Sequence, residues 1–415
     1  MSDIRPFRGL RPKPELAPKV ASLPYDVMNT KEAREMASGN PYSFLHVIRA
    51  EIDFDHDIDP HSDEVYRKGA ENLRRMLGEG VLFQDDRPCF YIYQLVMGDH
   101  TQRGIVAGAS VDEYERGLIK KHELTKPDKE DDRTRHINTL NAQTGPVMLA
   151  YRSKEEIDEF VNAVCDERTP EYDFVGPGGV RHTLWPLCDE ESVAKLRDLF
   201  TGVDALYITD GHHRSAAAAR VARERRAANP NHTGDEPYNF FLSVIFPHDQ
   251  LRILGYHRVV RDLNGLTPDE FMAKVREKFD VSPTDSPAPE APHRFGMYLD
   301  GRWYRLVAKP GTFPADDPVG SLDVAILQEN LLAPILGIEN PRTDERIDFV
   351  GGIRGIGELE RQCREDMRLA FALYPTTIEQ LMTIADAGAI MPPKSTWFEP
   401  KLLSGLVVHT LEEKS

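Results

Sequence analysis

The sequence is poor in cysteine and contains no long apolar run. Its cysteines form no Cys-x-x-Cys pair, which argues against a zinc ribbon and against a dense disulfide framework; they are Cys89, Cys165, Cys188 and Cys363. No stretch is apolar over the roughly 18 residues that a membrane span needs, and the start, MSDIRPFRGLRPKPEL, lacks the apolar segment of a signal peptide. We therefore expect a protein of the reducing cytoplasm with no membrane partner.

Basic residues are scarce relative to acidic ones. The chain has 51 Lys and Arg against 68 Asp and Glu, which gives a formal net charge of −17. Nucleic-acid binding depends on clustered Lys and Arg that displace counterions from phosphates. This balance argues against nucleic acid as the main partner, although it is compatible with a local basic pocket.

Helical and strand patterns alternate along the chain, and one segment has the composition of a linker. A length of 415 residues with 40% hydrophobic residues is typical of two or three folded domains. Residues 282–293, SPTDSPAPEAPH, are rich in Pro, Ser and Asp and have no hydrophobic period. We therefore predict an α+β protein with a domain boundary there, which separates residues 1–281 from residues 294–415.

A polar motif lies between a predicted strand and a predicted helix. Residues 207–226 read YITDGHHRSAAAARVARERR, in which an apolar strand ends at Asp210 and an Ala-rich helix follows. A helix start offers unpaired backbone N–H groups and the positive end of the helix dipole, which attract phosphate. Asp210 is placed to hold a divalent cation or to accept a proton. The predicted phosphate site consists of Gly211, His212, His213, Arg214 and Ser215.

Two other interpretations of this motif stay open. In one, Asp210 only caps the helix and the histidines are ordinary polar residues on its shoulder. In the other, the motif is part of a metal site. Adjacent His212 and His213 project in different directions, so a metal site would need ligands from elsewhere in the chain.

The segment HELTKPDKEDDR, residues 122–133, mixes acid, base and cationic side chains. His122 and Glu123 form a candidate acid/base pair, and Lys126, Lys129 and Arg133 could neutralise a transferring phosphoryl group. Alternating charges are also typical of a solvated face, and that interpretation stays open.

The segment MPPKSTWFEPK, residues 391–401, combines stiffening prolines with lysines and hydroxyls. We predict that it contacts substrate or acts as a lid through Lys394, Ser395, Thr396 and Lys401. A terminus that packs on the core is the alternative. Further candidate substrate contacts, each with a buried structural role as its alternative, are Asp26, His257 and Arg258.

Four motifs in this order carry a resemblance to known proteins. They are PYDV, HELTKPDKEDDR, DGHHR and MPPKSTWFEPKLLSGL. With them the chain resembles, over nearly its whole length, a widespread prokaryotic family catalogued as domain of unknown function 1015. The DGHHR motif is also similar to that of ParB/sulfiredoxin-like free serine kinases. This second resemblance implies a mixed-sheet ParB/sulfiredoxin-like core within residues 1–281 and an additional carboxy-terminal α+β domain.

The kinase resemblance also implies roles for the motif. Asp210 would be the general base or a magnesium-linked acid, Gly211 would permit the turn, and His213 and Arg214 would hold nucleotide phosphates. Glu123 is the alternative base. The chain has neither a G-x-x-x-x-G-K-[ST] motif nor the protein-kinase H-R-D set, which excludes a Walker-type site. Phosphoryl transfer depends mainly on positioning and charge neutralisation, which the motif residues can supply.

We therefore expect a Mg²⁺-dependent phosphotransferase for a small hydroxylated metabolite, with free L-serine as the first acceptor and ATP, ADP or pyrophosphate as donor. Two other functions stay open. One is a nucleotide-binding switch protein of the ParB type, and the other is a metal-dependent hydrolase that uses His122, His212 and His213. The oligomeric state also stays open.

Overall fold

The computed structural model describes residues 2–412, which form two compact units. The first unit comprises the described residues up to Leu251 together with those from Pro400 onward. The second unit is Arg252–Glu399. The chain thus leaves the first unit once and returns to it near its end.

The boundary predicted at residues 282–293 differs from this division, because the segment lies inside the second unit. It connects two strands of one sheet, which end at Pro283 and begin at Arg294. A Cβ added to Gly296 would lie only 2.2 Å from the carbonyl oxygen of Pro287. Pro287 therefore approaches the sheet closely, whereas most of the segment is exposed.

The first unit is built around a mixed sheet. Its strands are β1 (Ile4–Arg5), β2 (Leu10–Pro12), β3 (Leu82–Gln84), β4 (Phe90–Met97), β5 (His100–Ser110), β6 (Ile119–Lys120), β7 (Ala142–Gln143), β8 (Val147–Tyr151), β9 (Tyr172–Val175), β10 (Arg181–Leu187), β11 (Leu206–Asp210), β12 (Phe240–Pro247) and, from the end of the chain, β21 (His409–Thr410). Its helices are α1 (Ala17–Val20), α2 (Thr30–Ala37), α3 (Leu45–Ile48), α4 (Asp63–Gly78), α5 (Val111–Glu115), α6 (Pro127–Leu140), α7 (Glu155–Glu167), α8 (Glu190–Phe200) and α9 (His212–Ala228).

The main sheet has the strand order β6-β11-β8-β12-β5-β4-β10-β9, with β1 beside β5. The pairs β6–β11 and β8–β12 are parallel. The remaining pairs, such as β4–β5 and β8–β11, are antiparallel. The predicted α+β class with a mixed sheet is confirmed.

Helix α9 packs its alanine-rich face on this sheet. Alanine has the highest helix propensity and its small side chain allows a close approach to the strands. Ala217 and Ala222 are fully buried in the same apolar cluster as Leu206 and Ile208 of β11. The start of α9 is therefore fixed against the end of β11 by the core itself.

The second unit contains an antiparallel sheet. Its strands are β13 (Arg252–Leu254), β14 (Tyr256–Val260), β15 (Phe279–Pro283), β16 (Arg294–Leu299), β17 (Arg302–Ala308), β18 (Ile347–Gly351), β19 (Leu369–Leu373) and β20 (Trp397–Glu399), and its helices are α10 (Pro268–Lys278), α11 (Asp323–Leu327), α12 (Ile356–Glu365) and α13 (Ile378–Asp386). The main sheet has the order β15-β17-β16-β19-β14-β18. The hairpin of β16 and β17 turns at Asp300 and Gly301, which have φ values of +49° and +79°, as an Asp-Gly turn favours.

Two structural features bear on the expectations drawn from cysteine and hydropathy. Cys89 and Cys188, 99 positions apart in the chain, form a disulfide that the sequence analysis did not anticipate. Sequence spacing does not reveal the pairing of distant cysteines. None of the helices in the described part of the chain combines the length and the apolar character needed to cross a bilayer.

Candidate functional site

Two parallel strands bring two of the polar motifs together. In the pairing of β6 with β11, Ile119 lies opposite Leu206 and Lys120 opposite Tyr207. Parallel strands end at the same edge of a sheet. The chain bends at residues 122–123 after β6, and α9 begins directly after β11. The side chains that follow the two strands therefore meet at this edge.

Asp210, the last residue of β11, holds two cations. Its Oδ2 lies 3.1 Å from Nζ of Lys401, and its Oδ1 lies 3.4 Å from a guanidinium nitrogen of Arg214. Burial acts to raise the pKa of Asp210, but the charges of Lys401 and Arg214 outweigh this effect and hold the pKa well below its usual range.

This geometry changes the interpretation of Asp210. A carboxylate with so low a pKa is a weak proton acceptor, and two adjacent cations repel a metal ion. Asp210 is therefore suited to anchoring Arg214 and Lys401, and it fits poorly the predicted roles of general base and magnesium ligand. Arg214 is held further by donating a hydrogen bond to the carbonyl oxygen of Pro146.

The start of α9 presents backbone donors beside these cations. Gly211 precedes the helix with a φ of +107°, a conformation that favours glycine. The backbone N–H groups of His212, His213 and Arg214 have no acceptor within residues 2–412, as expected for the first turn of a helix. Ser215, predicted as a phosphate ligand, is instead fully buried, and its hydroxyl donates to the carbonyl oxygen of Gly211 at 3.1 Å.

The histidines of the two motifs separate into two arrangements. The rings of His122 and His212 meet edge to face with centroids 4.4 Å apart, and the backbone N–H of His122 donates to Nε2 of His212 at 3.4 Å. One ligand atom each from His122, Glu123 and His212 lies within 4.8 Å of the others. His213 stands apart from this group and accepts from the backbone N–H of Lys126 at 3.0 Å.

Both paired imidazoles are neutral at neutral pH. Burial lowers the pKa of His122 to about 4. Burial, together with the neighbouring ring of His122, lowers the pKa of His212 well below its usual range. Neutral imidazoles have a free nitrogen lone pair, so they can accept a proton or bind a metal ion.

The remaining predicted residues of the first unit surround the start of α9. Arg133 is paired with Asp132 at 2.6 Å and stacks over the ring of Tyr25 at 3.8 Å. Arg133 and Arg214 border a cavity of about 30 Å³, which is room for about one water molecule. Lys126 and Asp26 are exposed.

The carboxy-terminal motif is divided between the units, because Lys401 belongs to the first unit and residues 391–399 to the second. In the second unit Arg258 is buried and donates to the carbonyl oxygen of Lys394 at 2.9 Å. Burial lowers the pKa of Arg258 to about 10. The hydroxyl of Ser395 donates to the carbonyl oxygen of Pro392 at 2.6 Å.

Two further predicted residues lie in the second unit. His257 accepts from the backbone N–H of Leu373 at 3.2 Å through Nδ1. Thr396 is half-buried. The side chains of His257 and Ser395 thus bond to the backbone of their own unit.

A larger cavity in the first unit was not predicted. It measures about 330 Å³ and is bordered by Arg5, Arg8, Arg197 and His409. None of the predicted site residues lines it. The only signal in the sequence was the closely spaced arginines of the segment RPFRGLR near the start of the chain.

The fold and the site define an α+β protein with a cation-rich helix start at the edge of a mixed sheet. The family described as "Protein of unknown function (DUF1015)" matches residues 4–325. The chain therefore belongs to this family, as predicted, and the match ends before the fourth motif at residues 391–406. No curated protein matches it.

Comparison with solved structures gives only distant likenesses. A free serine kinase in complex with AMP is 14% identical, with 71% of this chain and 86% of that chain covered and a TM-score of 0.35. SbnI from Staphylococcus aureus, truncated at its carboxy terminus, is 12% identical, with 73% and 86% covered and a TM-score of 0.37. A conserved hypothetical protein from Pyrococcus furiosus is 12% identical, with 71% and 90% covered and a TM-score of 0.33. At these values the likeness says nothing about activity.

Proposed function

We propose that this protein binds a phosphate-bearing donor at the start of α9 and transfers a phosphoryl group to a small hydroxylated metabolite. Free L-serine is the first acceptor to test, because the DGHHR motif, residues 210–214, is similar to that of free serine kinases. The donors to compare are ATP, ADP and pyrophosphate. Mg²⁺ enters with the donor, since proteins commonly bind Mg²⁺ through substrate phosphates.

One observation carries the proposal: two cations converge on Asp210 at the start of α9. The cations of Arg214 and Lys401 both contact this carboxylate, and the N–H groups that open α9 lie beside it without acceptors in the described chain. This combination matches the spread negative charge of a phosphoryl group, which the enzyme must neutralise during transfer.

The side-chain cations should contribute more to the free energy of donor binding than the helix dipole does. A hydrogen bond between charged groups contributes about 1.5–3 kcal/mol, whereas a helix terminus contributes about 0.3–1 kcal/mol. Removal of Lys401 should therefore weaken donor binding roughly 10- to 100-fold. The group formed by His122, Glu123 and His212 is the nearest set of proton acceptors to this site, and we assign to it the activation of the acceptor hydroxyl.

The direct test incubates the full chain with Mg²⁺, L-serine and each donor, and measures phosphoserine by mass spectrometry. The reverse reaction, from phosphoserine with AMP, ADP or phosphate, is measured in parallel. We expect transfer with at least one donor. Absence of transfer in both directions, together with absence of donor binding in calorimetry, would overturn the proposal.

Matched variants distinguish a role of this site from a general effect of removing positive charge. Arg214→Met and Lys401→Met should each reduce transfer at least about 10-fold. Arg223→Met removes a cation from the same helix, where the side chain is 62% exposed, and it should leave transfer unchanged. Equal losses in all variants would contradict a role for the helix start.

A second candidate function, metal-dependent hydrolysis, is favoured by the grouping of His122 and His212. The third ligand of this group is Glu123 in place of the predicted His213. Hydrolysis of a donor without any acceptor, lost in Glu123→Gln and kept in Lys401→Met, would favour this function over transfer.

A further inference from the structure

Three side chains at the sheet edge converge closely enough to share one ion. The ligand atoms of His122, Glu123 and His212 lie within 4.8 Å of one another. Ligands of one Zn²⁺ ion lie about 2.0–2.2 Å from it, and therefore up to about 4 Å apart. Side-chain rotations that move the ligand atoms by about 1 Å would bring them to these distances.

The fold explains why residues 90 positions apart meet here. His122 and Glu123 follow β6 at a bend, and His212 opens α9 directly after β11. The parallel pairing of β6 with β11 places both exits at one edge. The register of β11 against β8 shifts between Ile208 and Asp210. This irregularity lies beside the carbonyl group of Ile208, to which the ring of His122 is hydrogen-bonded.

His122 provides an independent indication of a ligand. Its side chain is buried, with the residue 2% exposed, and its Nδ1 has no hydrogen-bond partner within residues 2–412. The His122 ring is hydrogen-bonded to the backbone of Ile208, and this bond acts to raise the pKa of the ring. Since Nδ1 is unpartnered, the bonded nitrogen is Nε2, which donates to the carbonyl oxygen of Ile208. This bond fixes the tautomer and leaves the lone pair of Nδ1 for another partner. Metal-bound histidines commonly donate their second N–H to such an oxygen.

The unpartnered nitrogen has an energetic consequence. A buried acceptor without a partner costs about 1–3 kcal/mol. Such a cost is typically accepted where the atom has a function or a bound ion. His182, another buried histidine in this unit, also has one unpartnered ring nitrogen, but it belongs to no such group. It therefore supplies a matched comparison.

Some of the charges around this group oppose a bound cation, and others favour it. The positive end of α9 and the nearby ammonium of Lys121 oppose a cation, and the helix end contributes about 0.3–1 kcal/mol. The carboxylate of Glu123 and the unpartnered lone pair of His122 Nδ1 act in favour of it. Asp210 lies close to both histidines, but Arg214 and Lys401 balance its negative charge. Because two of the three ligands are nitrogens, the set suits a borderline ion better than Mg²⁺ or Ca²⁺.

We propose that His122, Glu123 and His212 bind one divalent transition metal of the Zn²⁺ class, with a coordination position open to an exogenous oxygen ligand. Three protein ligands and an open position are the pattern of catalytic zinc sites, whereas structural sites use four protein ligands. The open position takes water, a hydroxyl group or a phosphate oxygen. This inference stands on the geometry of the group and does not depend on the proposed transferase activity.

The test is metal binding by the full chain after treatment with a chelator. Co²⁺ is titrated in as the probe, its visible absorption is followed, and Zn²⁺ is then added in competition. We expect one Co²⁺ per chain with nitrogen and oxygen ligation, displaced by Zn²⁺. Glu123→Gln and His122→Gln should each weaken binding at least about 10-fold, by analogy with the loss caused by removing partners of metal ligands.

Two controls make the result decisive. His182→Gln, which changes a buried histidine outside the group, should bind Co²⁺ as the unaltered chain does. Far-ultraviolet circular dichroism establishes that each variant is folded. If His122→Gln fails to fold, the half-buried Glu123→Gln decides the question alone. Absence of stoichiometric uptake, or undiminished uptake by the folded variants, would overturn the proposal.

Discussion

Asp323 in the second unit should make the stability of that unit depend on pH. It is the first residue of α11 and is 9% exposed. One carboxylate oxygen accepts from the backbone N–H of His293 at 2.8 Å, and the other is buried without a partner among the described residues. Burial raises the pKa of Asp323 to about 7. The group is therefore neutral in the folded state over a range where it is ionised in the unfolded state.

The sign and size of the effect follow from this pKa. The unfolded carboxyl has a pKa of about 3.9. Between this value and about 7 the folded state binds one more proton, so stability falls as pH rises and is highest below the unfolded value. A shift of about three units corresponds to roughly 4 kcal/mol in total, and about 2 kcal/mol of this falls between pH 5.5 and pH 8.5.

The assay is urea unfolding at about pH 5.5 and 8.5, followed by tryptophan fluorescence, because Trp303 and Trp397 both belong to this unit. From the lower to the higher pH, the unaltered chain should lose about 2 kcal/mol more stability than Asp323→Asn. The buried histidines titrate alike in both proteins and cancel in the difference. Asp285→Asn, at an exposed site in the same unit, should behave as the unaltered chain does. An identical pH dependence for Asp323→Asn and the unaltered chain would refute the reasoning.

Three further predictions concern the first unit. Gly211→Ala introduces a Cβ at a φ of +107°, 3.1 Å from the adjacent guanidinium, and should both destabilise the fold by about 1 kcal/mol or more and weaken donor binding in calorimetry. Gly234→Ala, at a φ of +102° with open space around it, should share only the loss of stability in urea unfolding. Arg11→Met leaves the buried carboxylate of Asp85, now 2.6 Å from the guanidinium, without its cation and should cost about 3–5 kcal/mol, whereas Arg11→Met combined with Asp85→Leu should recover part of this loss; equal losses for the single and the double variant would count against the pair. Reduction of the disulfide, which spans 99 positions, should lower the free energy of unfolding by up to about 4.7 kcal/mol, measured with and without a thiol reductant; no change on reduction would contradict a structural role.

Local patterns were sufficient to predict the elements that depend on neighbouring residues. The strand–glycine–helix order predicted at Gly211 follows from backbone preferences within a few residues, and the structure has it. The buried face of α9 follows from the run of alanines, because this composition favours a helix that lies close to a sheet.

Features that depend on distant residues were less accessible. Asp210 and Lys401 are 191 positions apart, and only the return of the chain to the first unit brings them together. Their pairing holds the pKa of Asp210 well below its usual range, which no local pattern in the sequence indicates. The composition of residues 282–293 indicated a linker, whereas the close approach of Pro287 to Gly296 depends on the sheet beneath it. The pairing of β6 with β11 brings Glu123, and not His213, close to His122 and His212.

The central claim is that the cations at the start of α9 bind phosphate, and calorimetric titration of Mg²⁺-pyrophosphate tests it most directly. The comparison is between the unaltered chain, Lys401→Met and Arg197→Met, because Arg197 borders the larger cavity of the same unit. We expect at least about a 10-fold loss of affinity for Lys401→Met and none for Arg197→Met. A loss confined to Arg197→Met, or no binding by the unaltered chain, would contradict it.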